Sequence, residues 1–291
     1  TCFSKSDYER LCDELDEIKR LPVLLATPRC LNPENCVVVC PAECFDFSFY
    51  TRVVVSGHPL SSGYLAYLKS VSNECYALVI EKDTFDAYKL LNVEVNDLTM
   101  TREEAIQKVA ASIEDNACIV STTGMISREL FEARTAWNQG HERDFLTVGS
   151  MGHASQIALG IALQKPNRKV YCFDGDGASI MHMGNMAITA SMKCKNYVHV
   201  VFNNGAHDSV GGQPTVGLKI DLCAVAKAVG YVTTYSVDTM KALEETLANI
   251  KSVEGPILLQ VCVKKGNRKD LGRPTTTPIQ NKEALMAFLQ K

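Results

Sequence analysis

The stretch KVYCFDGDGASIMHMGNMAITASMKCKNYVHVVFNN, residues 169–204, decides the fold. The apolar run KVYCF (169–173) leads into Gly175-Asp176-Gly177, a helix-like segment (178–195) follows, and the apolar run YVHVVF (197–202) stops at Asn203-Asn204. Strand, helix and strand at this length make one βαβ unit. Both polar ends then fall at the carboxyl edge of a parallel sheet, where open α/β proteins bind ligands. There a carboxylate from Asp176 and an amide oxygen from an Asn converge from adjacent strand ends. This is half of a Mg²⁺ site, since that ion takes oxygen ligands and completes its shell with phosphate and water. Gly, Asp and Asn each serve as ordinary turn residues; the joint spacing carries the reading.

Working outward, 291 residues suffice for one large α/β domain or two smaller ones. An apolar share of 46% with 22% charged residues is that of a globular protein. A net charge of −3 speaks against nucleic acid or an anionic membrane as partner. No apolar run approaches the roughly 20 residues of a membrane span, and no signal peptide is recognisable. The expected location is cytoplasmic. Of the 12 cysteines, Cys118, Cys172 and Cys262 lie in apolar runs and are expected as free, buried thiols. A disulfide framework is not expected. Cys30, Cys36, Cys40 and Cys44 cluster with spacings that fit neither a zinc ribbon nor an iron–sulfur run. The chain starts at Thr1 and its first methionine is Met100, so a fragment or processed piece is expected.

Towards the amino terminus, Tyr8, Leu11, Leu15 and Ile18 share a helical face. Pro-punctuated apolar runs then suggest short strands, and CYALVI (75–80) reads as another. From Thr101 the pattern sharpens. Thr101 and Glu104 form a capping box for a helix through about Ile113, followed by a strand at 117–121 and a helix through Arg134. A small-residue helix follows Gly152; beyond Asn204 come a Gly-rich loop (205–217), a helix, a strand at 231–237, a helix over 238–251 and a last strand, PILLQVCV. Alternating strands and helices predict an α/β fold with a parallel sheet covered on both faces. The expected division is a partial amino-terminal α/β region, 1–99, and a ligand-binding domain, 100–291.

Three loops should share one sheet edge: Ser121–Gly124, Gly149–Gly152, and Gly175–Gly177 with Asn203–Ala206. Their glycines admit close backbone approach, and the helices after them point amino termini at the ligand. Backbone N–H groups and helix dipoles together favour a diphosphate.

From about Met100 onward the chain resembles the diphosphate-binding domain of phosphonopyruvate decarboxylases, which are thiamine-diphosphate enzymes; sulfopyruvate decarboxylase is a close relative. The resemblance rests on ISRELFEAR (126–134), GHERDFLTVGSMGHASQIALGIA (140–162), FDGDGASIMHMGNM (173–186), NNGAHDSVGGQPT (203–215) and KKGNRKDLGRPTTTP (264–278). It implies Mg²⁺ binding by the side chains of Asp176 and Asn204 and the carbonyl of Ala206. It implies thiamine diphosphate contacts at Thr123, Gly124, Gly149, Ser150, Gly175 and Gly177, with Ala178 and Ser179 as N–H and hydroxyl donors. Met151 matches the apolar wedge that bends the cofactor. The implied substrate is a small 2-keto acid, phosphonopyruvate or sulfopyruvate.

His153 and His207 lie where a proton donor is needed, with Asp208 beside His207 to orient it. Arg273 is the preferred contact for a dianionic phosphonate. The glutamate such enzymes direct at the cofactor's pyrimidine has no counterpart in residues 1–99, where only YALVIEKDTFDAYKL resembles the family. Either the chain is truncated or a separate pyrimidine-domain chain completes the site. An oligomer is expected in both cases, and a non-catalytic cofactor-binding homologue stands as the other class of function.

Overall fold

The computed structural model describes residues 96–291 and the backbone of two earlier strands. The expected helix near Tyr8 and the cysteines Cys30, Cys36, Cys40 and Cys44 lie outside the described residues. The chain divides into units Thr1–Val93 and Glu94–Lys291. In the first, β1 (Arg52–Ser56) and β2 (Tyr76–Ile80) pair in parallel, Arg52 opposite Tyr76 and Ser56 opposite Ile80.

The second unit opens with α1 (Arg102–Ser112). Thr101 caps it as the sequence predicts: its hydroxyl accepts from the Glu104 N–H at 3.2 Å, and the Glu104 carboxylate accepts from the Thr101 N–H at 2.9 Å. Then follow β3 (Cys118–Ser121), α2 (Met125–Ala136), β4 (Asp144–Leu146), α3 (Ala154–Gln164), β5 (Val170–Gly175), α4 (Asp176–Met181), α5 (Gly184–Ser191) and β6 (Tyr197–Asn203). A short ribbon, β7 (Ala206–His207) and β8 (Gln213–Pro214), precedes α6 (Leu222–Val229), β9 (Thr233–Val237), α7 (Met240–Ile250), β10 (Ile257–Cys262) and α8 (Pro278–Gln290).

Six strands form one all-parallel sheet in the order β4-β3-β5-β6-β10-β9. Side chains alternate along each strand. Tyr171 and Phe173 join Leu130, Leu243 and Ile250 beneath α1, α2 and α7, while Val170 and Cys172 join Ala158, Met186 and Leu222 beneath α3, α5 and α6. Both faces are therefore covered, which is why the strands read as unbroken apolar runs. The chain leaves β3 towards β4 and β5 towards β6, so the strand order reverses between β3 and β5. The loops after these two strands open the crevice at that reversal.

Four details depart from the sequence expectation. The helical segment after Gly177 is two helices, broken at His182, where φ is −129° and ψ 49°. Tertiary bonds impose the break. The Asn185 amide donates to the Gly152 carbonyl at 3.1 Å, while the Gln156 amide reaches the Asn185 carbonyl at 3.2 Å, fastening α5 to α3. The Gly-rich loop holds the antiparallel β7–β8 ribbon, with Ala206 opposite Pro214. Cys262 is half-buried rather than buried, because the last strand residue projects beyond the core. Finally, α8 follows a connection that reads only as a charged tail, and its Asn281 side chain bonds the backbone of β4 at Leu146 N (2.9 Å) and Asp144 O (2.8 Å).

Candidate active site

An open cleft of about 440 Å³, counting space shared with solvent, lies over the ends of β3, β5 and β6. Asp176, Asn204 and Ala206 all line it and all are buried. β5 and β6 are hydrogen-bonded neighbours with Gly175 opposite Phe202, so the residues that follow converge. The surroundings fix the donors. The Thr215 hydroxyl donates to one Asp176 carboxylate oxygen. The Asn204 amide nitrogen donates to Asp208 at 2.6 Å, which turns its oxygen the other way; there it accepts from the Ala206 N–H at 3.0 Å and keeps a lone pair free. Asn203 serves the turn: it donates to the Gly217 carbonyl at 2.7 Å and accepts from the Gly205 N–H at 3.1 Å.

Burial pushes the Asp176 carboxyl up from its usual range, against the pull of Thr215 and the Gly177 N–H. A divalent cation at this carboxylate would offset that cost. The donors are all oxygen, which suits Mg²⁺ rather than a softer metal.

The loop after β3 and the first turn of α4 fit a diphosphate. The Thr122 hydroxyl, at the end of β3, is buried in the cleft wall with no hydrogen-bond partner, a vacancy that a ligand oxygen would fill. Glycine at 177 lets two side chains approach: a Cβ there would lie 2.4 Å from the His207 ring, which would have to shift, and 3.3 Å from the Met151 methyl. His207 and Met151 thus close directly over the first turn of α4. Met151 reaches that place through a strained turn in which Gly149, Ser150 and Gly152 have φ of 71°, 45° and 85°. The Gly149 N–H donates to the Thr123 hydroxyl at 3.2 Å, tying this turn to the β3 loop.

Placement corrects four expectations. Asp208 does not orient His207: its carboxylate accepts from Arg102 (2.8 Å), Asn204 (2.6 Å) and the Gly266 N–H (3.0 Å), away from its neighbour's ring. The Ser179 hydroxyl donates to Asp174 at 3.2 Å, so only its N–H is left for a diphosphate. His153 is exposed at the head of α3 and packs edge-on against His182, with ring centroids 4.6 Å apart; it is not on the cleft wall. Arg273 is exposed and likewise off that wall, beside Arg128 of α2. Gly124, Gly175 and Ala178 border the same loops; Gly175 and Ala178 line the cleft.

Several contributors escape a sequence reading. Arg102 lines the cleft, is 4% exposed, and forks onto Glu129 of α2 with bonds of 2.8 and 2.9 Å while its remaining arm holds Asp208. Burial alone would lower its pKa, but the two carboxylates outweigh that and hold it charged. Partners 27 and 106 residues away leave no local trace. Nearby, buried Asp174 accepts from the Gly175 N–H at 3.1 Å and lies 3.2 Å from the His199 ring.

The fold and these loops define an α/β domain whose cleft, lined by oxygen donors and helix amino termini, suits a diphosphate. The family described as thiamine pyrophosphate enzyme, C-terminal TPP binding domain, matches residues 122–261. The fold is shared with benzoylformate decarboxylase from Polynucleobacter necessarius, at TM-score 0.51 and 17% identity over 74% of this chain and 45% of that one. Sulfopyruvate decarboxylase subunit beta from Methanothermobacter thermautotrophicus is 34% identical over 58% of this chain and 85% of its own length. Phosphonopyruvate decarboxylase from Streptomyces viridochromogenes is 37% identical over 65% of this chain and 46% of its own. The chain belongs to the thiamine-diphosphate-dependent decarboxylase family that holds both proteins. It spans less than half the length of the Streptomyces relatives it matches, 46% and 44%. No helix among the described residues is long and apolar enough to cross a membrane.

Proposed function

We propose that this chain carries the Mg²⁺ and diphosphate half of a 2-keto acid decarboxylase whose substrate is phosphonopyruvate and whose products are phosphonoacetaldehyde and CO₂. The observation that carries this reading is the meeting of Asp176, Asn204 and Ala206 at two neighbouring strand ends, in the same cleft as the unpartnered Thr122 hydroxyl. In the reaction the C1–C2 bond breaks, CO₂ leaves, and a proton takes its place on C2. Bound thiamine diphosphate supplies the electron sink for that departure. Asp176, Asn204 and the Ala206 carbonyl would hold Mg²⁺; Thr122, Thr123 and the N–H groups of Gly177 and Ala178 would hold the diphosphate. Met151 shapes the cofactor's floor. His207, on the cleft wall, is the group to which we assign proton transfer; His153 stands outside the wall.

A second reading is favoured by coverage. This chain spans 85% of the Methanothermobacter beta subunit. In that reading it is one subunit of a sulfopyruvate-type decarboxylase, and a separate pyrimidine-domain chain completes the site. Calorimetric titration with thiamine diphosphate and Mg²⁺, followed by a CO₂-release assay on phosphonopyruvate and sulfopyruvate, separates the two. Mg²⁺-dependent binding that Asp176→Asn abolishes supports the metal site, and turnover by this chain alone rejects the partner-dependent reading. Absence of Mg²⁺-dependent cofactor binding would sink both.

A further inference from the structure

We propose that Cys172, Asp174 and His199 form a second metal site, for Zn²⁺, in the core beside the first turn of α4. Among the described residues they are the one group of three or more His, Cys, Asp and Glu side chains whose ligand atoms all lie within 4.8 Å of one another. The sheet puts them there. Cys172 and Asp174 are two apart on β5 and so share a face, and His199 of β6 stands opposite Cys172 in the parallel register. None of the three is more than 1% exposed.

The spacing suits an ion. Tetrahedral Zn²⁺ holds nitrogen and oxygen at about 2.0–2.2 Å and sulfur at about 2.3 Å, which sets its ligand atoms roughly 3.3–3.7 Å apart. His199 Nε2 lies 3.2 Å from Asp174 Oδ2. That separation is of the same order, and longer than the roughly 2.7–2.9 Å of a charge-assisted hydrogen bond. Outer partners are also in place. With Nε2 on a metal the ring proton sits on Nδ1, and the Tyr231 hydroxyl oxygen lies 3.3 Å away to accept it; metal-bound histidines regularly have such an acceptor. The Ser179 hydroxyl (3.2 Å) and the Gly175 N–H (3.1 Å) hold the carboxylate.

Charge favours the loaded site as well. Binding releases the Cys172 thiol proton to solvent, and the thiolate and carboxylate then carry two negative charges that a divalent ion cancels. A neutral assembly is the one that low-dielectric surroundings tolerate. One sulfur, one nitrogen and one oxygen select Zn²⁺ over Mg²⁺, whose ligands are oxygens, so the donor set here differs in kind from the oxygen donors lining the cleft. Asp174 bonds both Gly175 and Ser179, which flank Asp176; an ion held here would brace the turn that enters α4.

The test is the metal content of the whole chain, expressed with Zn²⁺ in the medium and dialysed against EDTA, which strips exposed ions faster than buried ones. Wild type should retain an equivalent of zinc. When it is expressed with Co²⁺ in place of Zn²⁺, it should show the thiolate-to-metal charge-transfer band of a cysteine ligand. Cys172→Ser, nearly isosteric and checked for folding by circular dichroism, should hold an equivalent less than wild type and lose its band. His199→Gln should likewise lose the ion. Tyr231→Phe removes only the partner of Nδ1 and should weaken Zn²⁺ roughly tenfold to a hundredfold. Asp176→Asn, at the cleft carboxylate, should leave the zinc in place, which keeps this site distinct from the one in the cleft. No retained zinc and no band in wild type, zinc and band unchanged in folded Cys172→Ser, or zinc lost in Asp176→Asn would each overturn the proposal and leave the three residues a hydrogen-bonded core group.

Discussion

Two neighbours on one helix, Arg128 and Glu129, show how differently α2 treats charge. Glu129 is 1% exposed and locked by both arms of its bond to Arg102, whose third contact reaches Asp208 and, through it, Asn204. Arg128 is half-exposed, and its charged neighbour is another arginine. A helix turns about 100° per residue, so one position faces the sheet and the next the rim. The paired charge holds the cleft wall in shape; the half-exposed one has no carboxylate partner among the described residues.

That contrast can be broken by substitution. Glu129→Ala leaves the Arg102 guanidinium buried without its principal partner, and should cost roughly 3–5 kcal/mol in urea denaturation. Arg128→Ala, one residue away, should stay within about 0.5 kcal/mol of wild type in the same experiment. Equal losses would mean that Arg128 is structural after all. Asp208→Ala sharpens the comparison from the other end. It removes the one carboxylate oxygen that accepts from Arg102, Asn204 and the Gly266 N–H, and an intermediate cost of about 1–3 kcal/mol is expected, with Mg²⁺ affinity falling because Asn204 loses its orienting acceptor. An unchanged Mg²⁺ titration would detach Asp208 from the metal donors.

Legibility in the sequence follows the same division. Local chemistry was readable: the Thr101–Glu104 cap, the apolar strands, and the two ends of the Gly175–Asn204 unit appear where their patterns place them. Long-range chemistry was not. Arg102 looks like an ordinary first-turn helix residue until Glu129 and Asp208 arrive from distant segments, and Thr215 gives no sign of its bond to Asp176. Asp208 follows His207 in sequence, yet its carboxylate is drawn to Arg102. The charged tail hid α8 because Pro274 and Pro278 punctuate it; the signal available was Thr277 with Gln280, a capping box around a proline at the first helical position.

The smallest expected effect uses two capping boxes of matching geometry and different charge. In α1, the Thr101 N–H donates to Glu104 at 2.9 Å; in α8, the Thr277 N–H donates to Gln280 at 2.9 Å. The Thr101 hydroxyl and N–H hold the Glu104 carboxyl below its usual range. A carboxyl depressed in the folded state stabilises the protein above its unfolded value, and that contribution is lost as pH falls through the folded one. Thr101→Ala should therefore cost about 1 kcal/mol near pH 7, with the part owed to Glu104's charge shrinking as the solution is acidified below about pH 4.5. Thr277→Ala should cost a similar amount with no such pH dependence, because Gln280 does not titrate. Thermal melts of both variants against wild type at pH 7 and at the lowest pH that keeps wild type folded would check this. Parallel pH profiles for the two would show that the Glu104 charge contributes nothing beyond its hydrogen bonds, and that among these helices only buried pairing gives a charge structural weight.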